Sequence, residues 1–257
     1  MALRLVLFDF HFTLTTSPCQ LDVEVKTLVS RVLHKLSQRP GSHLKLSNIT
    51  QLYETADGKY QELRAHLRDS NSALLLVDRA DIVLRKLGIK VRRATLEKIV
   101  ASVMEECLED IALVPGAKEA VQQLAEDGYK LGVVSSSGYP KSIEDGLRHL
   151  GLQSYFSGII ATGSEGLAKS DPELYRRAAI EFGVLPMETA NIGDDPTSDV
   201  APAMEAGLKA IWFTGLMEES ASVFGRSLEV DRIIGAKADA MVSDMLMIPK
   251  VIKQLST

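Results

Sequence analysis

The chain has 257 residues, room for one or two domains with a real core, and its 46% apolar and 25% charged residues are those of an ordinary globular fold. A formal charge of −5 argues against nonspecific nucleic-acid binding, which needs a basic face, and no apolar run approaches the ~18 residues of a membrane span. Met1 to Leu5 enter an apolar run with no secretory signal, and two cysteines, Cys19 and Cys107, can build no disulfide framework and match no zinc spacing, so a reducing cytoplasmic setting is expected.

Leu3-Arg4-Leu5-Val6-Leu7-Phe8 is a short apolar run that reads as a buried strand, and it stops at Asp9. From Leu21 the period becomes helical through Val25, Leu28, Val32 and Leu36, and Pro40-Gly41 ends it. A second helical stripe runs from Ile49 to Leu67, a third from Leu76 to Leu87 before Gly88, and a fourth from Leu96 to Ile111. Four amphipathic helices without an intervening strand read as a helical block. After Pro115-Gly116 helices alternate with apolar runs at residues 130–134, 158–161, 189–192, 210–213 and 240–242. That alternation predicts an α/β fold with a doubly wound parallel sheet, the helical block being inserted directly after the first strand.

Ligands of such sheets bind beyond the carboxyl ends of the strands. Asp9, His11 and Thr13 follow the first strand, and Ser135, Ser136 and Ser137 the second. Lys169 follows the third, and Asp194, Asp195 and Asp199 the fourth. Clustered carboxylates repel one another unless a cation lies between them, and all-oxygen ligation suits Mg2+. Hydroxyls and backbone N–H groups at strand–helix turns suit phosphate oxygens, and a lysine offsets charge that develops in transfer. Together they point to Mg2+-assisted phosphoryl transfer.

Phe8-Asp9-Phe10-His11-Phe12-Thr13-Leu14 resembles the first motif, Asp-x-Asp-x-Thr, of the haloacid dehalogenase superfamily. Val133-Val134-Ser135-Ser136 resembles its second motif, Ala168-Lys169-Ser170-Asp171-Pro172 its third, and Ile192-Gly193-Asp194-Asp195-Pro196-Thr197-Ser198-Asp199 its fourth. All four fall in order at the ends of the expected strands. The resemblance implies a Rossmann-like core of residues 1–14 and 113–257 with an α-helical cap at 15–112, as in the phosphatase-like subgroup. It implies Asp9 as the nucleophile that forms an aspartyl-phosphate, with Thr13, Ser135, Ser136 and Lys169 on the phosphoryl group. Asp9, the backbone carbonyl of His11, Asp194 and Asp199 would hold Mg2+, Asp199 supporting its water shell or Lys169; one of the adjacent Asp194 and Asp195 must point elsewhere, and whether Asp195 or Asp199 assists Asp194 stays open. The implied reaction is hydrolysis of a small phosphate monoester. The partner is a small phosphorylated metabolite, the stretch from Gly193 to Phe213 looking most like members that act on nucleotide and sugar phosphates. The chain would be a monomer or homodimer.

One position departs from the motif. The family's second Asp, acid to the leaving group and then base to water, is His11 here. A histidine can serve near pH 7, but a nearby Mg2+ and Lys169 oppose the imidazolium while the aspartates favour it. The alternatives are a dehalogenase-type hydrolase, whose halide leaves without a proton, and a slow or inactive binding protein. Asp171 reads as a helix cap, Ser137 as a loop or cap residue, Cys107 as core, and the stripe through Tyr53 and Tyr60 as helix packing. His34, His43, His66 and His149 read as ordinary surface or half-buried histidines.

Overall fold

A computed structural model describes residues 2–40 and 49–256. Its main sheet has six strands, all parallel: β1 (Leu5–Phe8), β4 (Lys130–Ser135), β5 (Ile159–Ala161), β6 (Thr189–Gly193), β7 (Lys209–Phe213) and β8 (Ala240–Val242). The spatial order is β5-β4-β1-β6-β7-β8, so the strand order reverses at β1: β4 and β5 are added on one side of it and β6, β7 and β8 on the other. That is the switch point at which an open parallel sheet forms its binding crevice. The doubly wound α/β expectation therefore holds, with β1 starting two residues later than the apolar run.

Both faces of the sheet are covered. On one, Val6, Phe8, Val133, Ile192 and Ile211 pack with Val121 and Leu124 of α6 (Ala117–Glu126), Ile143 and Leu147 of α7 (Pro140–His149), and Ile248 and Ile252 of α13 (Ile248–Leu255). On the other, Leu5, Leu7, Val134 and Trp212 pack with Leu174, Tyr175 and Ala178 of α9 (Pro172–Glu181) and Ala203 of α10 (Ala201–Glu205). Alternate residues of one strand thus serve opposite faces, which is why β1 reads as a continuous apolar run.

The helical block has a core of its own. It comprises α1 (Pro18–Asp22), a π-helical turn at Val23–Thr27, α2 (Leu28–Ser37), α3 (Ile49–Asp69), α4 (Leu76–Lys86) and α5 (Arg93–Glu105). Val29, Val32, Leu33, Tyr60, Leu76, Val83, Leu84, Val100 and Val103 are buried among themselves. Tyr60 and Tyr53 pack in or against this core as the stripe predicts. The single helix expected from Leu21 is instead broken into α1, the π turn and α2. The π turn carries the buried Glu24 inward, where Ser137 Oγ (2.6 Å) and the Gly138 N–H (3.0 Å) donate to its carboxylate. The long-range partner, not local periodicity, sets that break. Gly88 ends the α4 segment at φ +75°, a conformation a side chain resists.

The two chain crossings between the helical block and the sheet are short strands, β2 (Thr15–Thr16) and β3 (Ala112–Leu113), which pair antiparallel. This ribbon begins at one expected domain limit, 14/15, and spans the other, 112/113. Beside it Cys19 and Cys107 are joined by a disulfide at Cα–Cα 5.2 Å. This corrects the expectation of two unpaired thiols: Cys107 is core, as its stripe predicts, but it is bonded there. Residues 88 positions apart carry no spacing signal, and only the docking of α1 on the turn Leu108–Asp110 that follows α5 brings them within disulfide reach. In the chain-entropy account a loop of this size stabilises by about 4–5 kcal/mol. Thiol reductant, or Cys19→Ser, should therefore lower the melting temperature by several degrees, and an unchanged melting temperature would remove the bond from the stability of the block.

Among the described residues no helix is long and apolar enough to cross a membrane. His34, His66 and His149 are exposed. His43 and Gly41 lie outside the described residues.

Candidate functional site

A cavity of about 420 Å³ opens at the carboxyl ends of β1, β4 and β6, between the sheet and the helical block. Asp9, His11, Ser136, Ser137, Lys169, Asp194, Asp195 and Asp199 line it from the sheet side. Four separate strand ends converge there because the strands are parallel and in register, Phe8 lying opposite both Val133 and Ile192.

The chain leaves β1 through a tight loop. The carbonyl of Phe10 accepts from the Leu14 and Thr15 N–H groups and from Thr15 Oγ1, and Phe12 is held at φ +60°, which a bulky residue adopts only under constraint. This fixes Asp9 and His11 over the crevice. Asp9 is 6% exposed, its N–H bonded to the Ile192 carbonyl.

Lys169 is buried between two carboxylates. Its Nζ donates to Asp9 Oδ1 and is paired with Asp199 Oδ1 at 2.5 Å. Burial pulls the ammonium pKa down, but Asp199 and Asp9 outweigh it and leave the group above its ordinary value, so it stays charged. Asp199 also accepts from Tyr175 Oη (3.2 Å) and the Asp195 N–H (3.1 Å). It therefore reads first as the holder of Lys169. Gly193 makes room for it: a Cβ there would stand 2.1 Å from Asp199 Cγ.

Adjacent aspartates split their roles. Asp195 turns away, pairing with Arg226 at 2.7 Å and accepting from the Thr197 N–H (2.8 Å) and Oγ1 (2.7 Å). Burial raises its pKa, but Arg226 and Thr197 more than offset that and hold it below the carboxylate norm. Asp194 faces the cavity, anchored through its carbonyl by Trp212 Nε1 (3.0 Å) and through Oδ2 by Ser220 Oγ and Arg226. Burial, then Asp9 and Asp199, push its pKa well above normal. Burial, opposed by Lys169 and helped by Asp9 and Asp195, pushes Asp199 up to about 7.

Asp9, Asp194 and Asp199 present oxygens within 4.8 Å of one another, all buried. Among the described residues Asp9 Oδ2 and Asp194 Oδ1 take no hydrogen bond. Crowded, proton-hungry oxygens with open positions fit a hard divalent cation.

The phosphate candidates divide. Ser136 lines the cavity. Ser135 and Thr13 are fully buried, do not line it, and carry hydroxyls with no partner in the structure. Ser137 is spent on Glu24 and on the Tyr139 N–H (2.9 Å). Asp171 caps α9 by accepting from the Glu173 N–H (2.9 Å).

His11 is half-buried, with Nε2 enclosed and unpartnered. Burial lowers its pKa most, Glu24, Asp9 and Gln20 oppose, and the net position is below the usual imidazole value. Neighbouring Gln20 also leaves both amide atoms without a partner. Arg64, Arg79, Arg226 and Glu24 line the cavity and escaped the sequence reading. Arg64 and Arg79 lie in helices whose apolar stripes show only what faces their own core, and Arg226 sits beyond the last motif.

A family model described as haloacid dehalogenase-like hydrolase matches residues 3–207. The chain is 28% identical over 141 residues to a glyceraldehyde 3-phosphate phosphatase of Pyrococcus furiosus, covering 55% of each chain. It is 36% identical over 100 residues to a phosphoserine phosphatase of Thermus thermophilus, covering 39% of this chain and 40% of that one. The chain thus spans about half the length, or less, of the relatives it matches. In three dimensions it is similar to an HAD phosphatase from Thermococcus onnurineus, with TM-score 0.63 and 19% identity over 99% of this chain and 100% of that one, a likeness of fold.

Proposed function

The chain belongs to the haloacid dehalogenase-like hydrolases, and from that premise we propose that it is a phosphatase that hydrolyses a small phosphate monoester with Mg2+ through an aspartyl-phosphate on Asp9. The observation that carries this is the buried Asp9–Lys169–Asp199 chain of ion pairs with Asp194 opposite, at the switch point of the sheet.

Asp9 attacks phosphorus and the ester P–O bond breaks, the departing oxygen taking up a proton on the side of His11, a poor donor because burial lowers its pKa, and water then cleaves the acyl phosphate to free Asp9 and release phosphate. Lys169, held by Asp199, keeps Asp9 ionised and oriented and offsets charge on the transferring oxygens. Asp9, Asp194 and the His11 backbone carbonyl would hold the cation, with Asp199 behind Lys169. Mg2+, when bound, would offset the negative charge that Asp9 and a phosphoryl group bring together. Ser136 at the cavity wall, with Ser135 and Thr13 beneath, fits phosphate-oxygen donors. The helical block acts as a cap, its Asn71 Nδ2 donating to Asp171 (3.1 Å) and its Leu76 N–H to Gly138 (2.8 Å). The formed acidic cluster disfavours a dehalogenase, which has no cation to hold. The proposal extends to a small phosphorylated metabolite as partner and to a monomer or homodimer. In a reducing cytoplasm the Cys19–Cys107 pair would be kept as thiols.

A screen of small phosphate esters should show turnover with Mg2+ and none with chelator, and turnover that survives chelation would overturn the metal's role. The same samples give a second reading. Asp199 and Asp194 hold protons in the folded chain that the unfolded chain loses near pH 4, so this cluster's stabilising effect declines as pH rises from about 4 to about 7. His11, with its pKa lowered, acts in the opposite sense, its contribution being lost as pH falls below about 6.5. The Mg2+-dependent rise in melting temperature isolates the carboxylates and should be larger at about pH 8 than at about pH 5.

A further inference from the structure

Across the cavity from the carboxylates the cap presents a wall of the opposite sign. Arg64 and Arg68 on α3 and Arg79 on α4 all line the cavity, against one acidic cap residue, Glu24. Arg79 is the unusual member. It is 8% exposed, yet among the described residues no carboxylate lies within ion-pairing distance of it. Its Nε donates to the Leu74 carbonyl at 2.9 Å, and its other close polar neighbour is the neutral Tyr60 hydroxyl, which itself donates to the Glu24 carbonyl.

Glu24 forms no ion pair with it: that carboxylate is held by Ser137 Oγ and the Gly138 N–H, and its charge reaches the arginines only at longer range. Arg64 is similar: half-buried, it donates to the Val25 carbonyl (2.8 Å) and Gln61 Oε1 (3.1 Å) and pairs with no acid. Desolvation, with Arg79 adding to it, weakens Arg64's hold on its charge. Arg68 is exposed and stands 4.0 Å from Asp69.

An arginine taken out of water without a counter-charge is costly. Such a group persists where an anion meets it in the working state, and a guanidinium facing a cavity offers a fork of donors matched to a carboxylate or phosphate. The anion is not the transferring phosphoryl group, which belongs at Asp9 and Lys169. Arg79 instead stands against the loop beyond β4, where a Cβ on Gly138 would lie 3.2 Å from its Cζ. A cavity of about 420 Å³ holds a phosphoryl group and a short chain between the two walls.

We propose, on the basis of the phosphatase reading above, that Arg79 with Arg64 forms a second anion subsite, so that the substrate is a short phosphate monoester carrying another anionic group, a carboxylate or a second phosphate. The first ester tail to fit is one whose far end reaches Arg79 while its phosphorus lies at Asp9.

The test compares phosphoglycolate with ethylene glycol monophosphate, which differ in a carboxylate against a neutral hydroxymethyl group, and with ethylene glycol bisphosphate. The parent should favour one or both anionic esters in kcat/KM, chiefly through KM, and which of the two is favoured identifies the second anion. Arg79→Gln should cut that preference roughly 10–100-fold, the loss of a charge-assisted, forked interaction. Arg79→Lys should keep part of it, and Arg64→Gln should reduce it in the same direction; these two variants also give the reading should Arg79→Gln fail to fold. A merely structural role would slow all three esters alike, and equal losses, or no preference in the parent, would overturn the subsite. If no ester turns over, the phosphatase reading fails separately. Calorimetric binding of phosphoglycolate against ethylene glycol monophosphate then decides the subsite: an Arg79-dependent preference upholds it and equal affinities overturn it.

Discussion

Asp9→Asn is expected to lower turnover by at least about 10⁴-fold while the protein stays folded, since loss of a nucleophile costs the reaction its covalent step. The amide fills the same space and can still accept from Lys169, which keeps Asp199 as its charged partner. The variant also removes one of three crowded carboxylates. Asp9 is among the groups that push Asp194 and Asp199 upward, so its loss should relieve both and hold or raise the metal-free melting temperature. Single-turnover rates with the best ester and melting curves in chelator check the two halves. Hydrolysis at the parent rate would remove Asp9 from the chemistry. A collapse of the melting temperature would recast Asp9–Lys169 as a structural pair.

His11→Asp carries the second large effect, and it has the opposite sign. Burial holds the imidazole pKa below its usual value, and Nε2 meets no partner in the structure. At pH 7 the ring is therefore neutral and has no imidazolium proton to give the departing oxygen, although it can still accept one from water. The first half-reaction should be slow. A carboxyl at the same position restores the acid that the family motif places there, and general acid catalysis is worth about 10²–10⁴-fold. We expect kcat to rise by about 10²-fold or more, with the gain in the first half-reaction, visible as faster release of the alcohol in rapid-mixing experiments. A fall in kcat would assign the acid–base work to the imidazole. Identical pH–rate profiles in the two proteins would exclude the side chain at position 11 from proton transfer altogether.

Each half of the site has its own physical logic. The sheet side is a set of carboxylates that conflict with one another and are reconciled by Lys169 and Arg226, with oxygens of Asp9 and Asp194 left open. The side formed by the helical block sets three guanidinium groups, Arg64, Arg68 and Arg79, against one acidic lining residue, Glu24. A substrate with a phosphoryl group at one end and an anion at the other would satisfy both, and each wall alone is electrostatically incomplete.

What the sequence determined by itself was whatever depends on neighbours along the chain. The period-3.6 stripes placed the helical block between the first strand and the rest. The buried apolar runs placed a parallel sheet, and a parallel sheet delivers the residue after each strand to one rim. Asp9, Ser136, Lys169 and Asp194 could therefore be gathered from positions far apart without a single observed contact. The need for Gly193 is not legible there: it follows from Asp199, six residues on, folding back over it.

The tertiary structure decided what depends on how two independently patterned bodies dock. Hydrophobic period reports which side of a helix faces its own core and says nothing about what the other side meets. Arg64 and Arg79 thus give no signal in the sequence, and only the closure of the block over the sheet brings them to the cavity. The same docking broke the first helix so that Glu24 could reach Ser137 and Gly138, drew Thr15–Thr16 against Ala112–Leu113, and brought Cys19 to Cys107 across 88 residues. It also divided the two adjacent aspartates: chain position makes Asp194 and Asp195 equivalent, and the distant Arg226 pairs at 2.7 Å with Asp195, leaving Asp194 to face the cavity.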